Sequence, residues 1–149
     1  MRISAREDYA VRAMVELALA DEGWVKREHI SRAQSIPIHF LQNILLDLKR
    51  GGLVQTHRGA EGGFRLARSA ESITLADVIR VITGPLATIR GERPPELHYT
   101  ESLAALQDVW IAVRANVRQI LEGVTIADVA AGKLPKRVAA IVAKPNSWE

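Results

Sequence analysis

The strongest restriction on the fold is a glycine-rich turn, Arg58-Gly59-Ala60-Glu61-Gly62, set between two short β-type runs at residues 53–57 and 63–66. Glycine reaches backbone conformations that a Cβ forbids, so this cluster between two strand-like runs reads as a hairpin. Everything upstream of it is helical in pattern. Ser4-Ala5-Arg6-Glu7 has the form of a capping box, in which a hydroxyl and a carboxylate three residues apart satisfy free amides at a helix start. Behind it Ala10, Ala13, Met14, Leu17 and Ala18 recur at the helical period and make one apolar face. Asp21-Glu22-Gly23 is expected to end that helix.

A short second helix, about residues 26–34, is expected to turn Ile30 and Ala33 inward. Ser35-Ile36-Pro37 separates it from a third, because proline suits the first turn of a helix. The third helix gathers Leu41, Ile44, Leu45 and Leu48 on one face. It leaves His39, Gln42, Asn43, Asp47, Lys49 and Arg50 in solvent, and Gly51-Gly52 stops it. Three helices followed by a hairpin is the winged helix-turn-helix layout. The fold class expected is therefore mainly α, a winged helix-turn-helix domain at residues 1–83 with a two-stranded wing.

Thr74-Leu75-Ala76-Asp77 caps a further helix with Leu75, Val78, Ile79 and Ile82 inward. Residues 84–99 hold three prolines and two glycines and read as an irregular loop. A long helix follows over about residues 100–122. Its Leu103, Leu106, Trp110, Val113, Val117 and Ile120 are spaced 3, 4, 3, 4, 3, the seam of two helices packed along each other, which reads as a dimerisation helix. Thr125-Ile126-Ala127-Asp128 caps a short last helix that completes a unit at 100–131. The tail, 132–149, is expected to be mobile at its end. No internal repeat or low-complexity tract stands out.

Composition excludes whole classes of chemistry. With no cysteine among 149 residues there is no disulfide, thiolate zinc site, cysteine nucleophile or cysteine-held cluster. The four histidines, His29, His39, His57 and His98, form no pair at metal-ligand spacing. No serine sits in a nucleophile elbow, and no Gly-Lys-Ser/Thr follows the glycine-rich turn, so the chain is not expected to be an enzyme. No apolar run approaches the roughly 18 residues of a membrane span, and Met1-Arg2-Ile3-Ser4 lacks a signal-peptide core, so a cytoplasmic protein without a membrane partner is expected. The net charge is only +3, so a basic surface has to come from local clustering.

DNA is the partner these residues suit. Phosphates need cations and amides, and base edges need a few polar side chains. Gln42 and Asn43 can each make a paired donor–acceptor contact with adenine in a major groove, with His39 beside them and Lys49 further along. His57 and Arg58 stand at the hairpin tip, where Gly59, Gly62 and Gly63 allow close backbone approach and an arginine can enter a minor groove. A merely solvated helix face is the competing reading of the third helix taken alone. Trp24 and Trp110 are candidates for lining an effector pocket, against plain core packing.

The chain resembles the Rrf-two family of winged-helix transcription regulators. The residues that carry the resemblance begin with Arg2-Ile3-Ser4 and Asp8-Tyr9-Ala10-Val11-Arg12-Ala13, and continue with Phe40-Leu41-Gln42-Asn43-Ile44-Leu45 and Gly52-Leu53-Val54. The wing, Arg58-Gly59-Ala60-Glu61-Gly62-Gly63-Phe64-Arg65-Leu66-Ala67-Arg68, is the most specific part. Ile73-Thr74-Leu75-Ala76-Asp77-Val78-Ile79, Asp108-Val109-Trp110 and Val124-Thr125-Ile126-Ala127-Asp128-Val129 complete the match over about residues 1–131. The resemblance implies a homodimer on a palindromic operator, with recognition helices in major grooves roughly 34 Å apart. It implies that His39, Gln42 and Asn43 face bases and that Arg58 reaches the minor groove. Pro37 stands where some members carry a small hydroxyl residue that touches DNA.

Many family members hold an iron–sulfur cluster on three cysteines in the loop before the dimer helix. Here the positions nearest the last cysteine and the neighbouring histidine ligand are Ala104 and Gln107, and neither binds iron. Asp8 matches a carboxylate ligand of some relatives and is expected to be an ordinary first-helix residue here. No cofactor is expected. The primary expectation is a homodimeric repressor. The alternatives are a regulator acting mainly through a protein partner, since some relatives take a metabolic enzyme, or through a small-molecule effector near the dimer helix.

Overall fold

A computed structural model describes residues 2–20 and 23–147 of the chain. The expected stop at Asp21-Glu22 therefore lies outside the described residues. Seven helices and one hairpin follow in the order α1 Ala5–Leu19, α2 Arg27–Gln34, α3 Ile38–Arg50, β1 Val54–His57, β2 Gly63–Leu66, α4 Leu75–Thr83, α5 Ala104–Gly123, α6 Ile126–Ala131 and α7 Lys136–Val142.

Helix α1 is the axle, packing against α2, α3, α4 and α6. Its capping box is complete: the Ser4 hydroxyl accepts from the Glu7 amide at 3.2 Å, and Glu7 accepts from the Ser4 amide at 2.6 Å. Ala10 and Ala13 are fully buried, and their small side chains let the neighbouring helices approach. Met14, Leu41, Ile44, Leu45 and Leu48 fill the centre. Each large aliphatic side chain buried there contributes about 1.5–3 kcal/mol. Ile30 joins them, but Ala33 faces solvent, because one short amphipathic helix buries only a single stripe.

The turn from α2 to α3 is held from inside. Ser35 takes a left-handed conformation, φ 52°, and lets Ile36 drop into the core. The Ser31 hydroxyl donates to the Ile36 carbonyl at 2.7 Å, and Arg12 donates to the Gln34 carbonyl. Pro37 is the N-cap of α3. Strands β1 and β2 pair antiparallel from Val54–Leu66 to His57–Gly63. Val25 adds a third edge through two 2.8 Å hydrogen bonds with Phe64, so the hairpin is tied to the segment before α2. Gly63 is required there, because a Cβ would lie 2.5 Å from the Val25 carbonyl oxygen.

The second half of the chain returns to the first. The Leu75 amide donates to the Val124 carbonyl at 3.0 Å, and the Ile126 amide donates to the Ile73 carbonyl at 2.9 Å. Two similar strings, Thr74-Leu75-Ala76-Asp77 and Thr125-Ile126-Ala127-Asp128, thus lie antiparallel, each starting a helix with its own capping box. Ile126 is fully buried in the core that α1 centres, so α6 is built into the same packed unit as α1–α4 and the hairpin.

Two other expectations change, and the tail carries a helix. The long helix starts at Ala104, and Leu103 ends a single 3-10 turn, Glu101–Leu103, ahead of it. Residues 84–99 are not featureless: Ile89 and Glu92 pair, Pro94–Glu96 forms a 3-10 turn, and Leu86, Pro94 and Leu97 are buried. The tail forms helix α7, whose Arg137 donates to Gln119 on α5. Its Pro135 start and the run Val138-Ala139-Ala140-Ile141-Val142 favour a helix.

Candidate nucleic-acid interface

Helix α3 projects one face into the core and the opposite face into solvent. His39, Gln42, Asn43, Lys49 and Arg50 are exposed, while Asp47 is half-buried, its carboxylate accepting from Arg6 and facing Arg50 as an ion pair at 3.6 Å. Between α3 and the hairpin runs a groove of about 400 Å³ that brings Gln42 and Lys49 together with His57 and Arg58, and Arg27 of α2 joins them. Asn43 lies on the other flank of α3, in a shallow concavity with Arg6, Phe40 and Arg50. His39, near the start of α3, lines neither concavity.

Arg27 shapes what Gln42 can offer. Its guanidinium donates to the Gln42 carbonyl oxygen at 2.8 Å and to Glu28 at 3.0 Å. One lone pair of that oxygen is occupied, and the other lone pair and both amide hydrogens remain for a base edge. Glu28 has its pKa lowered by hydrogen bonds, from its own backbone and from Arg27.

The wing is positioned by stacking. The His57 ring lies on Trp24 with centroids 5.2 Å apart and 28° between planes, and Arg65 covers Trp24 at 4.2 Å. The layered Arg65–Trp24–His57 contact holds the base of the wing by cation–π and ring stacking. At the tip Lys26 donates to the Ala60 carbonyl at 2.6 Å and to the Gly59 carbonyl at 3.3 Å. Gly59 has φ +104°, and Arg58 is exposed beside it. At Gly62 a Cβ would lie 2.1 Å from the His57 carbonyl oxygen, so the turn closes only with glycine. Arg27, Lys26 and Trp24 are contributors that sequence patterning leaves out. The Lys26-Arg27 pair at the start of α2 was the available signal for two of them, but their reach to the wing depends on the Val25 bridge.

The other candidate surface is α5. Among its described residues none is buried, although it is 20 residues long. Leu106, Trp110, Val117 and Ile120 are half-buried, Val113 is 43% exposed and Leu103 46%. Val109, 52% exposed, lies on the same open side one turn from Leu106 and Val113 and was not part of the expected seam. The side of α5 facing its own chain is polar at one end. Gln107 donates to the Pro94 and Leu97 carbonyls at 3.2 and 3.0 Å, and Arg114 donates to the Leu86 carbonyl. Leu121 packs on Ala76, Ile79 and Leu86. Trp24 belongs to the wing and Trp110 to α5.

Among the described residues no helix is long and apolar enough to cross a membrane. The Rrf2 family, described as "Iron-dependent Transcriptional regulator", matches residues 3–132. The chain is 51% identical over 140 residues to the HTH-type transcriptional regulator Rv1287 of Mycobacterium tuberculosis, covering 93% of this chain and 87% of that one. It superposes on the structure of CymR, the global cysteine regulator of B. subtilis, with a TM-score of 0.77 at 30% identity, over 89% of this chain and 98% of that one. IscR of T. potens gives a TM-score of 0.72 at 27% identity, over 100% and 97%. The family and these relatives are transcriptional regulators rather than enzymes.

The family description implies iron, and the donor set here does not fit a thiolate-held cluster. The chain has no cysteine, and Gln107 spends its amide on two loop carbonyls. Among the described residues no three His, Asp or Glu side chains gather as a metal site. Asp8 accepts from Arg12 one turn along α1, at 3.2 Å. From the family match, the regulator relatives and the shared winged-helix fold, the chain belongs to the Rrf2 family of DNA-binding transcriptional regulators.

Proposed function

We propose that the chain works as a homodimeric repressor on a palindromic operator, without an iron–sulfur cluster. The observation that carries the reading is α5, a 20-residue helix with no buried residue, whose N-cap Leu103, Val109 and Val113 are exposed and whose Leu106, Trp110, Val117 and Ile120 are only half-buried. A helix of that length with one apolar side unfilled by its own chain is stabilised by a second copy lying along it. A two-fold pair presents two α3 helices, and two-fold protein symmetry matches an inverted repeat with half-sites about one helical turn apart.

In this reading His39, Gln42 and Asn43 read base edges, and Lys49, with the Arg58–Gly59 tip, engages phosphates and the minor groove. Cation–phosphate contacts supply salt-sensitive affinity, and the side-chain amides supply discrimination. Arg27 pre-orients Gln42, which lowers the entropy lost on docking. Repression follows from occupancy of the operator.

The test is to map bound DNA across the genome of the host and then footprint the strongest site. An inverted repeat bound by two chains, with protected half-sites about one turn apart, is the expected result. A single asymmetric site bound by one chain removes the homodimer reading.

A further inference from the structure

We propose that the cleft where α4, the 84–99 loop and α5 meet is a binding site for a small metabolite carrying phosphate or carboxylate, held by Arg80, Arg93 and Arg114. These arginines come from three separate elements and line one cleft of about 410 Å³, walled on its remaining sides by Gly84, Pro85 and Leu86. Arg118 stands one turn beyond Arg114 on α5.

The charges there do not balance. Glu122 accepts from both Arg80 and Arg118, the latter at 2.9 Å, and Glu96 accepts from Arg93. Arg114 has a backbone carbonyl, that of Leu86, as its hydrogen-bond partner. Of the three arginines that line the cleft, Arg80 and Arg93 each face a carboxylate and Arg114 faces none, while Arg118 shares Glu122 with Arg80, so among the described residues positive charge is in surplus. The crowding is felt at Arg114, whose pKa is lowered by burial and then by Arg118, Arg93 and Arg80, with Glu96 opposing. Links that served only to tie α4 to α5 would need no more than one arginine per carboxylate. The surplus repels itself until an anion enters, and guanidinium forks match the oxygen geometry of phosphate and carboxylate.

The position gives occupancy a consequence. Arg80 belongs to α4 and Arg114 to the helix proposed to pair, so an anion between them draws α4 and α5 together. That consequence rests on the homodimer reading, whereas binding itself does not.

The full chain, without DNA, is titrated with inorganic phosphate and separately with citrate, against sodium chloride at matched ionic strength. Thermal unfolding and calorimetry are the readouts. Expected is a saturable rise in Tm with phosphate, with citrate or with both, absent with chloride, and an affinity about tenfold weaker in Arg93→Gln and Arg114→Gln. Response to phosphate alone identifies a phosphorylated ligand, and response to citrate alone a carboxylate. Arg114→Gln also loses the bond to Leu86, so Arg93→Gln, whose hydrogen-bonded partner is the exposed Glu96 side chain, keeps the test sound if the first variant unfolds. A rise that chloride reproduces, no rise at all, or unchanged affinity in Arg93→Gln overturns the proposal. A chain that sediments as a monomer yet binds phosphate keeps this site and loses the homodimer.

Discussion

Helices α3 and α5 are both amphipathic, yet only α3 is finished within one chain. Leu41, Ile44, Leu45 and Leu48 are each fully buried, so the outward side of α3, polar apart from the exposed Phe40 and Leu46, is held toward solvent. On α5 no residue reaches that state, and Val109 and Val113 stay open. An exposed polar face needs nothing further to be stable, whereas an exposed apolar row remains in contact with water until something covers it. Of the two outward faces, one therefore suits a hydrophilic partner taken up on demand, and the other a permanent apolar one.

The sharpest way to break the contrast is Val113→Asp. A carboxylate in the centre of the α5 row should convert the chain to a monomer in sedimentation and lower operator affinity by about 100-fold or more, since an unpaired buried charge is strongly disfavoured. The same variant should stay folded, with native helix content, but melt below the parent, because position 113 is open in the single chain and only the stabilisation from the second copy is lost; a collapse of the fold instead would place α5 inside the monomer's own core.

On α3 the effects should be smaller and concern discrimination. Gln42→Ala with Asn43→Ala should cost about 1–3 kcal/mol of preference for operator over scrambled DNA per lost bidentate contact. Arg58→Ala should act differently, weakening binding to many sequences and reducing the slope of log affinity against log salt by about 1. Competition binding over a salt series separates the two. If the pair Gln42 and Asn43 changes only the salt slope, bases are read elsewhere.

The smallest effect belongs to the contact between α1, on which α3 packs, and α4, on which α5 packs. Glu7 is the buried charged side chain at the start of α1, and it also accepts from the Thr83 hydroxyl at the end of α4, 2.7 Å away. Burial pushes its pKa up, but hydrogen bonds from the Ser4 amide and from the Thr83 and Ser4 hydroxyls outweigh this and hold it below the ordinary value. A depressed carboxylate pKa adds stability that is present above the unfolded-state pKa and lost as pH falls through the folded one. Glu7→Gln should therefore cost about 1 kcal/mol near neutral pH and progressively less in acid, flattening the acid side of a stability–pH curve. An unchanged curve would leave the contact without an electrostatic role.

Local signals made much of this architecture legible. The boxes at Ser4, Thr74 and Thr125 are chemical stop-and-start marks that work through neighbours three residues away, and all three start helices. The aliphatic stripe of α3 and the glycines of the wing act over similarly short range. The places where sequence reading fell short share a longer one. Ala33 turned outward because a short helix has one buried stripe, Leu103 fell in a 3-10 turn, and Arg137 in the tail reaches Gln119 of α5.

From sequence alone came the helices, the wing, the polar face of α3 and the apolar row of α5, because periodicity and capping are properties of adjacent residues. Tertiary structure alone decided that Val25 would edge the wing, that Trp24 would sit between Arg65 and His57, that Thr74 and Thr125 would pair, and that arginines from three elements would converge. Those contacts join residues tens of positions apart, and their partners are selected by which surfaces the packed core leaves next to one another.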